Sequence, residues 1–351
     1  MEQIALGDRL VGRNAPVLIV AEAGVNHNGD INLALELIDS AAQAGADVVK
    51  FQSFTAEDIV TPTAPKAGYQ RVTTDSSESQ FKMLKRLELS EEVHAELRKH
   101  CDSKGIIFLS TPYSRSNVDM LERQGVLGFK ISSSDTTNLP LLDYVARKGK
   151  AVLLSTGMCD MQEVRAAVNA LCEPGLQQVA LLHCTSEYPA PLDESNLRAI
   201  KTMGDEFHCP VGFSDHTSGT CAAAWAVAAG ACIIEKHFTL DRNLPGPDHQ
   251  ASLEPNEMSE LVRVIRQVER SLGDGQKRPT PSELRNKQFM QRSLVARRAI
   301  AAAEKIEAEA ITCKRPGIGL PPRCWNDVVG RRAARPIAAD EVITMDAILW
   351  E

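Results

Sequence analysis

The sequence predicts a (β/α)8 TIM barrel followed by a small β-rich domain, and three observations carry that expectation. Eight short β-branched or apolar runs alternate with helix-like segments over about 250 residues, the length such a barrel takes. Every run starts apolar and finishes polar, as strands do when one end of a barrel carries a site. After Gly273 the composition shifts to a polar, Pro-containing stretch and then to short strand-like runs broken by Pro and Gly. A doubly wound sheet is the alternative, disfavoured because no Gly-rich phosphate loop follows the first run.

The eight runs are 17–24, 47–54, 106–113, 126–133, 151–158, 178–188, 211–217 and 232–238. After the first, INLALELIDSAAQAG has the 3–4 apolar spacing of an amphipathic helix and closes on Gly45. After the second, LSEEVHAELRKHCDSKG starts with Ser90 as N-cap, carries acidic residues in its first turn and stops at Gly105. Ahead of that helix lies a long, turn-rich stretch, 55–89. Insertions on the catalytic face of a barrel shape substrate cavities. Lys66, Tyr69 and Gln70 are placed to reach a ligand, with a plain surface loop as the competing reading. The expected division is a barrel over 1–276, a linker over 277–290 and a second domain over 291–351. The last is marginal in size for standing alone.

Composition narrows the function classes. The 351 residues are 43% hydrophobic and carry a net charge of −7, which argues against general affinity for nucleic acid or an anionic membrane. The charge is uneven: 277–335 holds 14 Lys/Arg against 5 Asp/Glu, and the remainder 25 against 41. A basic module of this kind suits docking on an acidic one, or bringing a cation to an anionic substrate. The nine cysteines form no CxxC pair and read as reduced, mostly buried thiols. The opening MEQIALGDRL lacks a basic-then-apolar layout, and no apolar run is long enough to span a bilayer. The expectation is a cytoplasmic chain.

The polar run ends place Glu22, Lys50, Gln52, Lys130, Ser133, Asp135, Ser155, Tyr188, Ser214, His216, Glu235 and His237 around one pocket. Two lysines with several serines suit a phosphate or carboxylate. VGFSDHTSG and ACIIEKHF end neighbouring runs in His216 and His237, with Asp215, Glu235 and Asp248 close by in sequence. Two neutral imidazoles beside carboxylates suit a divalent metal with open positions. Spacing alone leaves strand-end hydrogen bonding equally open. His183 follows the core run VALL and reads as a buried histidine; Asn26 and His27 read as turn caps or substrate contacts, and Phe289 as packing or a pocket lining.

AEAGVNHNGD, GADVVKFQ, APKAGYQ, FLSTPY, FKISSSDTTNLPLL, LSTGM, LLHCTSEYPAP, GFSDHT, EKHFTLDRNLPGPDHQASLEP, RSLVA and CKRPGIGL run in order along nearly the whole chain. In these stretches the sequence resembles the sialic acid synthase family, including its N-acetylneuraminate and legionaminate members, and the tail resembles that family's antifreeze-like (SAF) domain. The resemblance implies condensation of phosphoenolpyruvate and water with an open-chain N-acetylmannosamine-type sugar, giving a nine-carbon 2-keto acid and phosphate. It implies a divalent metal on His216 and His237, Mn²⁺ first, with Mg²⁺ or Co²⁺ as alternatives. Lys50, Lys130, Ser133, Ser155 and Ser214 match positions that hold phosphoenolpyruvate, and Ser186 stands at a substrate position that varies among Asn, Ser and Thr. Glu22 matches a carboxylate facing the metal and its water. Asp135 matches a proposed acid/base that is often Glu in bacterial members, so its reach is one methylene shorter. Gln52, Tyr188 and Asp248 match sugar-side positions. Arg315 matches an arginine that contacts the sugar N-acyl group across a domain-swapped homodimer.

The leading expectation is an N-acetylneuraminate synthase acting on N-acetylmannosamine. The alternative is an N,N'-diacetyllegionaminate synthase acting on 2,4-diacetamido-2,4,6-trideoxymannose. A Schiff-base aldolase using Lys130 or Lys236, and a non-catalytic sugar-binding protein, are the rivals from other classes.

Overall fold

Period-two alternation builds the first of the chain's two units. The computed structural model describes residues 3–75 and 77–350, which divide into Met1–Gly273 and Asp274–Glu351. An antiparallel hairpin, β1 (Gln3–Leu6) and β2 (Arg9–Gly12), comes first. Eight parallel strands follow: β3 (Leu18–Gly24), β4 (Val48–Ser53), β5 (Ile107–Pro112), β6 (Gly128–Ile131), β7 (Ala151–Ser155), β8 (Val179–Cys184), β9 (Val211–Asp215) and β10 (Ile233–His237). Their order around the sheet is β5-β4-β3-β10-β9-β8-β7-β6, a nearly closed TIM-type barrel with its seam between β5 and β6.

Each strand is followed by a helix: Ile31–Gln43, Glu91–Lys104, Arg115–Arg123, Leu139–Ala146, Met161–Cys172, Arg198–Phe207, Cys221–Ala228 and Pro255–Leu272. Their ends obey local chemistry. The Asp30 carboxylate accepts from the Asn32 N–H, Ser90 Oγ accepts from the Val93 N–H, and Gly105 closes its helix at φ +68. The strands are shorter than the predicted runs. Most plainly, 178–188 is a strand only to Cys184, and the rest turns away to carry Ser186 and Tyr188.

Side-chain parity sets two separate cores. Ile19, Ala21, Val49, Phe51, Phe129, Phe213 and Ile234 point outward and pack under the helices. Leu18, Val20, Val48, Leu109, Leu153, Leu182 and Ile233 point inward, where Ile4, Leu6 and Val11 of the hairpin pack against them. The hairpin thus stoppers the barrel from below. The next inward positions toward the strand ends are Glu22, Lys50, Lys130, Ser155, Ser214, Glu235 and His237, all buried. The polar layer is one pleat above an apolar one, so the same alternation that fills the core aims the site.

In the second unit, β11 (Ser293–Ala296) pairs antiparallel with β12 (Ile311–Lys314), and β13 (Arg332–Ala333) with β14 (Ile348–Leu349). Leu294, Ile300, Ile306, Ile311, Ile337, Ile343 and Ile348 form its core. Within 277–290, the helix Pro281–Met290 is capped by Thr280 and buries none of its residues. Among the described residues no helix is long and apolar enough to cross a membrane. All nine cysteines are free; two are fully buried, five half-buried and two exposed. Burial is therefore less complete than expected, because Cys172 and Cys221 occupy helix ends at the surface.

Candidate active site at the mouth of the barrel

A cavity of about 410 Å³ opens at the strand ends. The strands bring Glu22, Lys50, Gln52, Lys130, Ser155, Ser214, Glu235 and His237 to its floor. His216, one step beyond β9, and Ser133, Ser186, Tyr188 and Asp248, from the loops above, complete the set. One glycine lets these loops come together. A Cβ on Gly157 would lie 2.2 Å from Ser186 Oγ and 2.9 Å from Ser133 Oγ, and the Gly157 N–H donates to Ser133 Oγ at 2.9 Å.

The floor holds four buried charges that balance. Lys50 Nζ lies 3.2 Å from Glu22 Oε2 and 3.1 Å from Glu235 Oε1, and Lys130 Nζ lies 3.5 Å from Glu235 Oε1. Burial alone would raise Glu235, but Lys130 and Lys50 overcome it and hold that carboxylate below its usual range. Burial wins at Glu22, whose carboxyl is raised despite Lys50, and at Lys130, whose ammonium is destabilised despite Glu235. Gln52 Nε2 donates to Glu22 Oε1 at 3.2 Å, and Ser214 Oγ to Glu235 Oε1 at 3.1 Å. Ser155 Oγ is buried with no protein partner. An incoming anion finds two ammonium groups and a free hydroxyl, with Glu22, the raised carboxyl of the two, able to take up a proton.

The two imidazoles sit side by side, ring centroids 5.5 Å apart, with Tyr188 at 4.3 Å from His216 and 5.5 Å from His237. His216 Nδ1 donates to the Thr185 carbonyl at 2.6 Å, so the neutral ring keeps its lone pair on Nε2. Burial lowers His216 to about 4 and His237 well below its usual value. His237 Nδ1 is buried and unpartnered; the nearest carboxylate oxygen, Asp248 Oδ2, is 3.9 Å away, and burial raises Asp248 to about 6. His216 Nε2, 3.3 Å from Ser214 Oγ, and the unpartnered His237 Nδ1 belong to neutral rings that fit two ligands of a divalent ion. Among the described residues no group of three His, Cys, Asp or Glu side chains is arranged to hold one. Any further ligands would be water or substrate oxygens.

Several expected residues go elsewhere. Asp215 and Lys236 occupy the outward parity and form a buried pair at 2.9 Å, facing each other across β9 and β10. Lys236 also donates to the Thr217 carbonyl, and Asp215 Oδ1 accepts from the Thr217 N–H at 2.9 Å. The reading of Asp215 as a site carboxylate and of Lys236 as a Schiff-base lysine is thereby corrected: each is one residue out of phase with the cavity. Asp135 stands behind the cavity-lining Ser132–Ser134 stretch, its carboxylate accepting from Asn138 Nδ2 at 2.9 Å and Ser132 Oγ at 3.3 Å.

Tyr69 and Gln70 line the cavity, whereas Lys66 is buried against Thr74 Oγ1, the Asp75 carbonyl and Glu78. His183 Nε2 is tied to the Ser195 carbonyl, and Asn26 Nδ2 donates to the Phe238 carbonyl. His27 Nδ1 accepts the Gly29 N–H at 2.9 Å, a turn cap. Arg315 and Phe289 are exposed within the second unit. Sequence reasoning missed the apolar side of the cavity: Val25, Phe54, Ile59, Met83, Leu84 and Leu87, with Tyr113. The spacing of Gln80, Met83, Leu84 and Leu87 marks a helix face, and that signal was present in the insertion.

The profile of the NeuB family matches residues 37–277, and that of the SAF domain matches residues 291–349. The chain is 47% identical to the N,N'-diacetyllegionaminic acid synthase of Campylobacter jejuni, covering 93% of this chain and 98% of that protein. It is 44% identical to the synthase of the same name from Legionella pneumophila, covering 97% and 95%. The crystal structure of N-acetylneuraminic acid synthetase from Leptospira borgpetersenii, in complex with citrate, superposes with a TM-score of 0.73 at 37% identity, covering 81% of this chain and 94% of that one.

Proposed function

The chain belongs to the NeuB family, and from that membership we propose that it condenses phosphoenolpyruvate with 2,4-diacetamido-2,4,6-trideoxymannose and water, releasing an N,N'-diacetyllegionaminate-type 2-keto acid and phosphate. The observation that carries the substrate choice is the 44–47% identity, over 93% or more of the chain, to two N,N'-diacetyllegionaminic acid synthases. This supports the second of the two sugars weighed from the sequence over N-acetylmannosamine.

The residues take these roles. Lys50 and Lys130 hold the carboxylate and phosphate of phosphoenolpyruvate, with Ser133, Ser155, Ser186 and Ser214 donating hydroxyls. C3 of the enol attacks the sugar aldehyde, and the cationic centre left at C2 is captured by water. Glu22, raised by burial, can accept one proton of that water. The other leaves the C2 hydroxyl as the C2–O bond to phosphate breaks and the ketone forms, so that one proton ends on the former aldehyde oxygen and one on phosphate. Gln52, Tyr188 and Asp248 orient the sugar, and Asp135, tied to Ser132 and Asn138, positions the cavity-lining serine turn. His216 and His237 would hold the divalent ion, Mn²⁺ in the first instance, which when bound polarises the aldehyde oxygen. The same reading places Arg315 at the sugar N-acyl group of a partner subunit in a cytoplasmic, domain-swapped homodimer.

Phosphate release from phosphoenolpyruvate, with each of the two sugars and with and without a chelator, tests the reading. The expected result is a higher kcat/KM for the diacetamido sugar and loss of turnover on chelation. Equal or better use of N-acetylmannosamine would overturn the substrate choice, and chelator-insensitive turnover the metal.

A further inference from the structure

The cavity has two unlike sides. Its floor is the balanced charge layer of the strands. Its other side comes from the insertion after β4, where the helix Gln80–Leu87 turns Met83, Leu84 and Leu87 inward beside Ile59, with Val25 and Phe54 at their back. Val25, Phe54, Met83 and Leu87 form an apolar cluster of their own, separate from both barrel cores, on which Ile59 and Leu84 pack. Ile59 and Leu84 are only half-buried, so they keep apolar surface facing the cavity.

Phosphoenolpyruvate makes no use of such a wall, because its charges are met on the floor. A sugar with hydroxyls on every carbon makes poor use of it too: a hydroxyl pressed on apolar side chains gives up water and gains no partner. A methyl group, by contrast, gains burial there. The aldehyde end of the sugar must lie at the floor, near His216 and His237, so the end that reaches the insertion is the one remote from the aldehyde.

We infer that this wall is the specificity determinant of the site: Leu84 and Ile59, backed by Met83 and Leu87, receive the C6 methyl of a 6-deoxy sugar and the acyl methyl of its C4 substituent, and disfavour a C6 hydroxyl. The inference rests on the reaction proposed above and goes beyond it by naming which side chains sense C4 and C6.

Leu84→Gln tests it, with Leu84→Met as the conservative control and Ile59→Thr as a second probe should the first variant fold poorly. The quantity read is the ratio of kcat/KM for the diacetamido-trideoxy sugar to that for N-acetylmannosamine. The wild type and Leu84→Met keep a high ratio. Leu84→Gln and Ile59→Thr reduce it by about tenfold, the scale of one-group discrimination in an apolar pocket, with KM for phosphoenolpyruvate unchanged. An unchanged ratio in both folded polar variants, or an equal fall with both sugars, overturns the wall as determinant. Calorimetric binding of the two sugars, read without turnover, separates the two proposals. A sugar preference in binding that Leu84→Gln removes, in an enzyme that releases no phosphate, refutes the reaction and supports the wall.

Discussion

The floor and the wall of the cavity are built by different rules. On the floor, each strand-borne functional side chain rises from a barrel strand whose register is fixed by its neighbours, on both sides for every such strand but β6 at the seam. Parity leaves it one direction to point. The wall is a short helix in an insertion, held by apolar packing and by ion pairs such as Arg86 with Glu78. Removing one floor group leaves a buried partner without its match, as Lys130 would be without Glu235. Exchanging one wall group alters only surface chemistry and volume. Chemistry placed on the first kind of support is hard to alter without loss. Selectivity placed on the second can drift.

The largest expected effect breaks the floor. His237→Ala removes an imidazole whose buried Nδ1 has no protein partner. Phosphate release should fall by about 10²–10³ or more, the scale for losing one preorganised electrostatic group, with both sugars affected alike. A sugar-dependent loss would mean that His237 senses the substituents and that the division between floor and wall is wrong.

Asp215→Asn comes next and acts from the outside. It strips Lys236 of its buried counter-charge without touching the cavity, and breaking such a pair costs about 3–5 kcal/mol. A clear fall in Tm is expected, with the sugar ratio unchanged. An unaltered Tm would show that the outward pair does not hold the register of β9 and β10.

The smallest effect is a drift with pH. His27 and His249 are buried neutral, each lowered to about 4 from 6.5 by burial, and His94 is lowered for the same reason. Between pH 6.5 and 4 the unfolded chain therefore binds protons that the folded one refuses, so stability is present above that window and is lost as pH falls through it. Asp248, raised to about 6, takes up a proton in the folded state over part of the range and opposes the trend without cancelling it. Tm should decline on acidification through this window, while the sugar ratio stays flat, because Ile59, Met83, Leu84 and Leu87 carry no proton to lose. A ratio that moves with pH would place a titrating group on the wall.

The same contrast explains what could be read from sequence. The barrel, its strand ends and the meeting of Lys50, Lys130, His216 and His237 were legible, because a period of two plus a polar terminus is a local signal with a global meaning. Asp215 was named for its closeness in sequence to the histidines and Lys236 as a rival Schiff-base lysine, but SDH and EKH each alternate in, out, in, which turns both away from the cavity. The strand after 178 was read too long because the polar TSEY looked like the polar end of the run, whereas the strand stops at Cys184 and the chain already turns. Met83, Leu84 and Leu87 show helical spacing in the sequence, but spacing does not say whether a face packs on a core or borders a space. That is decided by the arrival of Val25 and Phe54 from other strands, a fact of tertiary structure.

One consequence follows from the hairpin lodged beneath the barrel. With Ile4, Leu6 and Val11 packed against the lower inward side chains, the chamber rests on an apolar plug. A group that reaches Lys50 and Lys130 approaches them from the strand ends, where the cavity opens. A few residues ahead of the barrel strands thus set the direction from which a molecule that never touches them arrives.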